Sequence, residues 1–500
     1  MAADLTSSSF DVIVIGGGFA GLSAAARLAR DGAHVLVLEA KARLGGRATA
    51  FTDRDTGELV DNGQHILVGC YAETFAFLRD IGASGNVQLQ PRLAVTMIDR
   101  AGRRSRLSMA ALPRPFDLIG GIFDWDALSW RDRLSIVGMR TPLKLAQREL
   151  EPGATRKAAS PGETVEGWLI RNGQTARLRE MLWDPLALAA LNQKPTQAAA
   201  PTFARVLAEM FGGEPGAAAI ALPTTPLHLM YAEPARAYIE RHGGVVKTGA
   251  TATVEIADGR VTAVQANGER WPASRVISAV PWFAFADLFP VEPPALREVI
   301  ERARRRTSCP IVTVNLWFDR QILDEPFVGL PGRAMQWVFD KGLIFGSRAA
   351  ASAHGNEHAG HGAPADHGSH DDHASHVEPP PHGEHHGAPA GNGVAHLSLV
   401  SSGASAILNR TNEELIHMAH EELLEALPAT RTARLLRATV VREPRATFSL
   451  APNEPPRPAA ETGVRGLVLA GDWIDTGLPA TIESAVRSGH HAAQVIAKHP

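Results

Sequence analysis

Apolar and polar positions alternate in short periods along most of the chain, and the most regular stretch lies near the N-terminus. Four apolar residues of β type, Val12 to Ile15, run into a glycine cluster. An Ala- and Leu-rich segment of helical period follows, and a second apolar run, Val35 to Leu38, ends on Glu39. This order predicts a β-α-β unit and hence a parallel sheet. Residues Ala48 to Val60 read as a hairpin around Asp55-Thr56-Gly57, and a helix with Phe75, Leu78 and Ile81 on one side stops at Gly82. Two β-like segments between Leu89 and Leu107 flank Arg100-Ala101-Gly102, and Thr164 to Phe211 has helical period. From Gly244 to Pro281 the period is two, with turns at Asp258-Gly259 and Asn267-Gly268, which predicts a meander of antiparallel strands. Further strands are expected at Ile311–Phe318 and Met335–Phe345. A last one, from Gly466, ends on Asp472 before a helix that runs to Lys498.

The glycines of the first unit carry candidate chemistry. Gly16, Gly18 and Gly21 have the G-x-G-x-x-G spacing: Gly16 for a tight turn, Gly18 for close approach of a pyrophosphate, Gly21 for helix-on-strand packing. The first helical turn, with Phe19 and Ala20, offers unpaired N–H groups and the positive end of the helix dipole. Glu39 is placed to accept ribose hydroxyls, so a dinucleotide without a 2′-phosphate is expected. Beyond it, Gly45-Gly46 stand beside Arg43 and Arg47, whose guanidinium groups suit a diphosphate.

Composition narrows the classes. The chain has 500 residues, 45% of them hydrophobic and 21% charged, enough for two or three globular domains. A net charge of -3 gives no reason to expect nucleic acid. Thirteen Lys/Arg against seven Asp/Glu between Pro91 and Lys157 form a local basic excess. Within it, Phe116, Leu118, Ile119, Ile122, Phe123, Trp125 and Trp130 form an apolar stripe, followed by a capping box at Ser129-Trp130-Arg131-Asp132 and a helix bearing Leu134 and Val137. Such a stripe fits either core or an interfacial contact with a membrane. Cys70 and Cys309 cannot build a disulfide framework, and no signal peptide or membrane span is apparent. A cytoplasmic protein is expected, with peripheral attachment to the inner membrane left open. Residues 349–393 are of low complexity and hold ten of the twenty His, between His354 and His386. Their irregular spacing suits adventitious or buffering affinity for divalent metal, or no metal role, and not a catalytic metal site.

Two more strings change the picture. Asp61-Asn62-Gly63-Gln64-His65 reads by spacing as a capped turn, and Asp472 followed by Ala480-Thr481-Ile482 as an ordinary strand and helix. Taken with the β-α-β unit and the Arg43-x-Gly45-Gly46-Arg47 element, however, the chain resembles the FAD-dependent amine oxidase and carotenoid desaturase superfamily. The resemblance implies FAD and an α/β fold: a Rossmann-type FAD-binding domain of the GR2 type with an inserted α+β substrate domain. The FAD-binding domain would take residues 1–90, 236–285 and 446–500; the substrate domain would take 91–235 and 286–445, with 349–393 as an insertion. It further implies that Gly63 and its neighbours pass beside the isoalloxazine, that backbone near Ala252 lies against adenine, that Asp472 holds the ribityl chain and that the helix opening at Ile482 faces the flavin.

The string Trp183-Asp184-Pro185-Leu186-Ala187-Leu188-Ala189-Ala190-Leu191-Asn192, with Leu222-Pro223 and Tyr231-Ala232-Glu233-Pro234-Ala235, is similar more narrowly to the hydroxysqualene dehydroxylases of bacterial hopanoid biosynthesis. That resemblance implies reductive conversion of hydroxysqualene to squalene, with an apolar tunnel between Leu182 and Leu229. Asp61, Gln64 and His65 are the candidate catalytic residues. His65 is either the acid or a residue that only bonds cofactor or backbone. The electron donor has no visible motif. An isoprenoid desaturase shares every cofactor residue, and a non-catalytic flavoprotein partner of a squalene-forming complex is the third reading. Only Tyr71, Tyr231 and Tyr238 are available for the aromatic cage of an amine oxidase.

Overall fold

The structure, a computed structural model, describes residues 10–53, 57–112, 116–153, 155–212, 214, 216–346 and 394–498. The His-rich tract lies outside these residues.

Strand Val12–Ile15 forms the middle of a five-stranded sheet, flanked by Val35–Glu39 and then Val245–Thr248 on one side, and by Val276–Ser278 and Leu467–Leu469 on the other. Every pairing is parallel, and the three central strands are buried throughout, which is why they read as continuous apolar runs. Helix Phe19–Arg30 packs against the C-terminal helix Ile482–Lys498 at Gly489, where a Cβ would lie 2.2 Å from the Ala20 carbonyl oxygen. The two ends of the chain therefore close one layer.

The expected meander is only partly antiparallel. Ala252–Ala257, Arg260–Ala266 and Glu269–Pro272 form it, turning through Asp258 and Asn267 at φ 50° and 52°, each followed by a glycine with positive φ. The outer two segments leave it: Val276 and Ile277 pair with Ile13 and Val14, and Val245–Thr248 pairs with the end of the second strand. Burial on the parallel sheet wins over the local hairpin preference.

A seven-stranded sheet runs in the order Leu435–Phe448, Ser308–Phe318, Ala395–Ser402, Trp337–Asp340, Phe327–Gly329, Ala94–Ile98, Arg104–Ser108. Val312, Val314, Leu316 and Phe318 join a core with Leu415, Ala419 and Leu423 of helix Asn412–Ala426. By alternation, Thr313, Asn315 and Trp317 point from the opposite face. The predicted strand Met335–Phe345 ends early, because the Asp340 carboxylate accepts the Leu343 N–H at 3.0 Å and starts a helical turn over residues 341–346.

The helical span after Thr164 is broken into several pieces. One of them, Asp184–Leu191, stops at Asn192 in the left-handed region, φ 48°. The Asn192 side chain donates to the Cys309 carbonyl and Thr447 Oγ1, both at 3.0 Å, and accepts from the Gly403 N–H, tying the helices to the large sheet. The tryptophan stripe divides: Leu118, Ile122 and Trp125 are core, whereas Phe116, Trp130, Leu134 and Val137 are each more than half exposed. The Ser129–Asp132 capping box is present. Among the described residues no helix is long and apolar enough to cross a membrane. Burial pushes the thiols up, Cys309 to about 11 and Cys70 to about 12.

Candidate active site

The two glycine turns are stacked on each other at the carboxyl ends of the parallel strands. The Gly45 N–H donates to the Gly17 carbonyl at 2.8 Å, and a Cβ on Gly46 would lie 3.2 Å from the Gly18 Cα. Gly16, at φ 114°, lies so close to the first helix that a Cβ on Gly21 would sit 1.9 Å from its carbonyl oxygen. The Tyr231 hydroxyl donates to the Gly45 carbonyl at 2.8 Å, and its ring stacks on Phe19 at 3.5 Å. Helix Phe19–Arg30 begins with neither a side-chain cap nor an acidic residue in its first turn. Its first N–H groups are therefore not taken by a capping side chain, which suits a diphosphate.

Glu39 ends the second strand with its carboxylate accepting from Gly17 N–H at 2.7 Å and Lys41 N–H at 2.9 Å. Its carbonyl accepts the Ala250 N–H, so the meander starts at Ala252 directly beside it. From the other end of the chain, Asp472 forms an ion pair with Arg47, whose second amino group donates to the Ala446 carbonyl at 3.0 Å. Arg47 also lies over the Trp282 ring, 5.2 Å from its centroid, while Arg43 is exposed. The Asn62 amide donates to the Arg47 carbonyl at 2.7 Å and to Glu443 at 2.9 Å. Thr481 Oγ1 accepts the Ser484 N–H and so caps the helix that begins at Ile482, while Glu483 turns away to Thr74.

Asp61, Gly63, Gln64 and His65 lie together, with a lysine at their centre. Lys341 Nζ is 2.7 Å from Asp61 Oδ2 and also donates to Gln64 Oε1; the two charged side chains are 4% and 3% exposed. The second Asp61 oxygen accepts the Leu227 N–H at 2.9 Å. His65 Nδ1–H donates to the Gly63 carbonyl at 3.1 Å. Desolvation, only partly opposed by that bond, pulls the His65 pKa below its ordinary value, so the imidazole is neutral near pH 7.

Opposite Gly63 stands the outer face of the large sheet. A Cβ on Gly63 would lie 3.6 Å from Thr313 Oγ1. Thr313 Oγ1 and Asn315 Nδ2 are buried and have no hydrogen-bond partner among the described residues. The Asn315 side-chain Oδ1 accepts from His396 Nε2–H at 3.1 Å, and His396 stacks on Trp317 at 4.1 Å. Burial first, then the charges of Lys341 and Arg437, push the His396 pKa down to about 3. The wall thus offers neutral hydrogen-bonding groups and one buried ion pair.

Sequence reasoning missed Lys341, Tyr231 and Glu443. The signal for Lys341 was a single charge after Trp337-Val338-Phe339-Asp340 in an apolar run; its partner is 280 residues away. Among the described residues no cluster of three or more His, Cys, Asp or Glu gathers to hold a metal.

The glycine cradle, the uncapped helix and an acid at the second strand end fit FAD. A model of the flavin containing amine oxidoreductase family matches residues 19–497. A hydroxysqualene dehydroxylase of Rhodopseudomonas palustris is 28% identical over 97% of this chain and 98% of its own length. A 15-cis-phytoene desaturase of an Oncidium hybrid cultivar is 24% identical over 97% of this chain and 77% of its own. Among solved structures, an oxidoreductase from Methanosarcina mazei superposes with a TM-score of 0.69 at 18% identity, covering 97% of this chain and 99% of that one. The fold is the α/β fold of this family and the cofactor is FAD. The chain belongs to the flavin containing amine oxidoreductase family and is an FAD-dependent oxidoreductase.

Proposed function

We propose that the protein removes the hydroxyl group of hydroxysqualene reductively, releasing squalene for hopanoid synthesis. Support comes from the relative in Rhodopseudomonas palustris, which matches end to end. The observation that carries the reading is the pair of donors Thr313 Oγ1 and Asn315 Nδ2, which find no partner among the described residues, on a buried wall beside Gly63. A pure hydrocarbon, the substrate of a desaturase, offers neither group a partner and would leave both to the flavin or to water. An alcohol satisfies them, and a site built for a hydroxyl rejects the analogue lacking it.

In this reading Gly16, Gly18, Phe19, Ala20 and Gly21 hold the diphosphate, and the remaining lone pairs of Glu39 take ribose hydroxyls. Ala252 backs the adenine, while Arg47, Asp472, Gly63 and Ile482 border the flavin end. The FAD-binding portion is formed by 1–90, 236–285 and 446–500. Bound and reduced, FAD supplies a hydride. The chain's own residues bind the alcohol, exclude water and deliver one proton to the departing oxygen.

The test is anaerobic incubation of dithionite-reduced, FAD-loaded protein with hydroxysqualene, beside oxidised protein with squalene or phytoene, with products identified by mass spectrometry. Squalene is expected in the first arm only. Dehydrogenated product in the second arm, with no squalene in the first, would overturn the proposal in favour of a desaturase.

We further propose that substrate is collected from an anionic bilayer. Phe123 and Trp130 touch, ring centroids 6.1 Å apart, and so join the helices Phe116–Asp124 and Trp130–Ser135 into one apolar ridge. Arg133 lies over the Trp130 ring at 5.0 Å, and Arg131, Arg140 and Lys144 of the same stretch are exposed. Aromatic and aliphatic groups rimmed by cations suit the interface of an acidic membrane. Co-sedimentation with phosphatidylglycerol vesicles is expected to fall roughly tenfold or more in a Trp130→Asp/Leu134→Asp double variant, each substitution removing buried apolar area and adding repulsion. Unchanged pelleting would remove the ridge from the membrane contact.

A further inference from the structure

We infer that Lys341 is the proton donor to the leaving hydroxyl and that Asp61 is its positioning residue, an inference that rests on the dehydroxylation reading above. An ion pair this buried is weak evidence for stability, since an apolar pair of the same volume would serve as well or better. Its place needs another reason. The pair sits where the Asp61–His65 turn meets the outer face of the large sheet, the face that carries Thr313 and Asn315, whose Oγ1 and Nδ2 have no partner among the described residues. Of the three N–H donors of Lys341, one goes to Asp61 and one to Gln64. The third has no protein oxygen or nitrogen to meet among the described residues, and the ammonium stands 5.0 Å from the Phe345 ring centroid.

The neighbours are less suited to the task. His65 commits its Nδ1–H to the Gly63 carbonyl and is neutral near pH 7, and His396 is neutral over the whole physiological range. Asp61 carries the charge that holds Lys341, with its other oxygen fixed by the Leu227 N–H. Lys341 is the one group in the cluster that is both an acid and oriented by a second residue.

The step balances as follows. The C–O bond breaks with its electron pair going to oxygen, which takes a proton from Lys341 Nζ and leaves as water. Carbon receives the hydride pair from reduced FAD, and the amine regains its proton from solvent on product release. One hydride from a nicotinamide, or two successive single electrons from a ferredoxin-type donor with protons from solvent, restores the reduced flavin.

The experiment compares wild type, Lys341→Met and Lys341→Arg on hydroxysqualene and on a carboxylate ester of it, whose leaving group departs without a proton. FAD absorbance and melting temperature are recorded for each. Lys341→Arg keeps the pair with Asp61 but is a poor acid, so it retains FAD and folding should the Met variant not. For both variants, turnover of the alcohol is expected to drop at least about 100-fold, while the ester stays within about tenfold of wild type. Equal losses on the two substrates would show a structural role and overturn the inference, as would full turnover of the alcohol by either FAD-loaded variant. If wild type itself yields no squalene, the dehydroxylation reading fails instead.

Discussion

A Gly21→Ala variant is expected to purify without the yellow absorbance of flavin and to unfold at distinctly lower urea. The added Cβ would stand 1.9 Å from the Gly16 carbonyl oxygen, 3.0 Å from its carbon and 3.2 Å from the Ala279 Cβ. Two of those atoms are backbone, and no rotamer change relieves them. Either the first helix moves off its strand or the Gly16 turn opens, and each removes the N–H groups from the cradle. Forcing atoms into a packed interior costs typically 1–3 kcal/mol and more when backbone must shift; roughly 3–5 kcal/mol is expected here. Gly162→Ala, where nothing lies within 4 Å and the residue is exposed, is the control and should change stability by less than about 1 kcal/mol. A Gly21→Ala protein that remains yellow with an unmoved urea midpoint would refute the packing account.

Gly489→Val is expected to be as damaging, although residue 489 lies in the C-terminal helix and not in the glycine turns. Its Cβ would fall 2.2 Å from the Ala20 carbonyl oxygen and 2.3 Å from Ser23 Oγ, both on the first helix. Ala20 belongs to the turn proposed above to hold the diphosphate, so separating the two helices would loosen that site from behind. The expected result is protein recovered mostly in the insoluble fraction, the soluble remainder having lost at least about 3 kcal/mol. His491→Ala, two residues along on the exposed face, should be neutral. Normal yield and flavin content in Gly489→Val would mean that the helices separate without consequence for the site.

Much of the nucleotide half was legible because its signals are local. The run Val12–Ile15, the spacing of Gly16, Gly18 and Gly21, and Glu39 all fall within one β-α-β unit. Asp258-Gly259 and Asn267-Gly268 announce their turns by residue type alone, and the Ser129 capping box needs only four residues. What escaped depends on partners far along the chain. Arg47 meets Asp472 across 425 residues, and Lys341 meets Asp61 across 280. The run Trp337 to Phe345 has strand composition on both sides of Asp340, so a capping carboxylate in its middle could only be seen once the fold was known. Trp125 and Trp130 look alike in sequence, and packing alone assigns one to the core and one to the surface.

The order of strands in the parallel sheet bears on how the protein is made. Val12–Ile15 has its native neighbour on one side, Val35–Glu39, almost as soon as it leaves the ribosome, but its other neighbour is Val276–Ser278, and the outermost strand arrives only at Leu467. At roughly 5–20 residues per second, the nascent chain carries an apolar, half-paired strand edge for about 10–50 s before the fourth strand appears. Closure of the sheet waits for Leu467–Leu469. Cellular yield is therefore expected to respond to holdase chaperones and to translation speed.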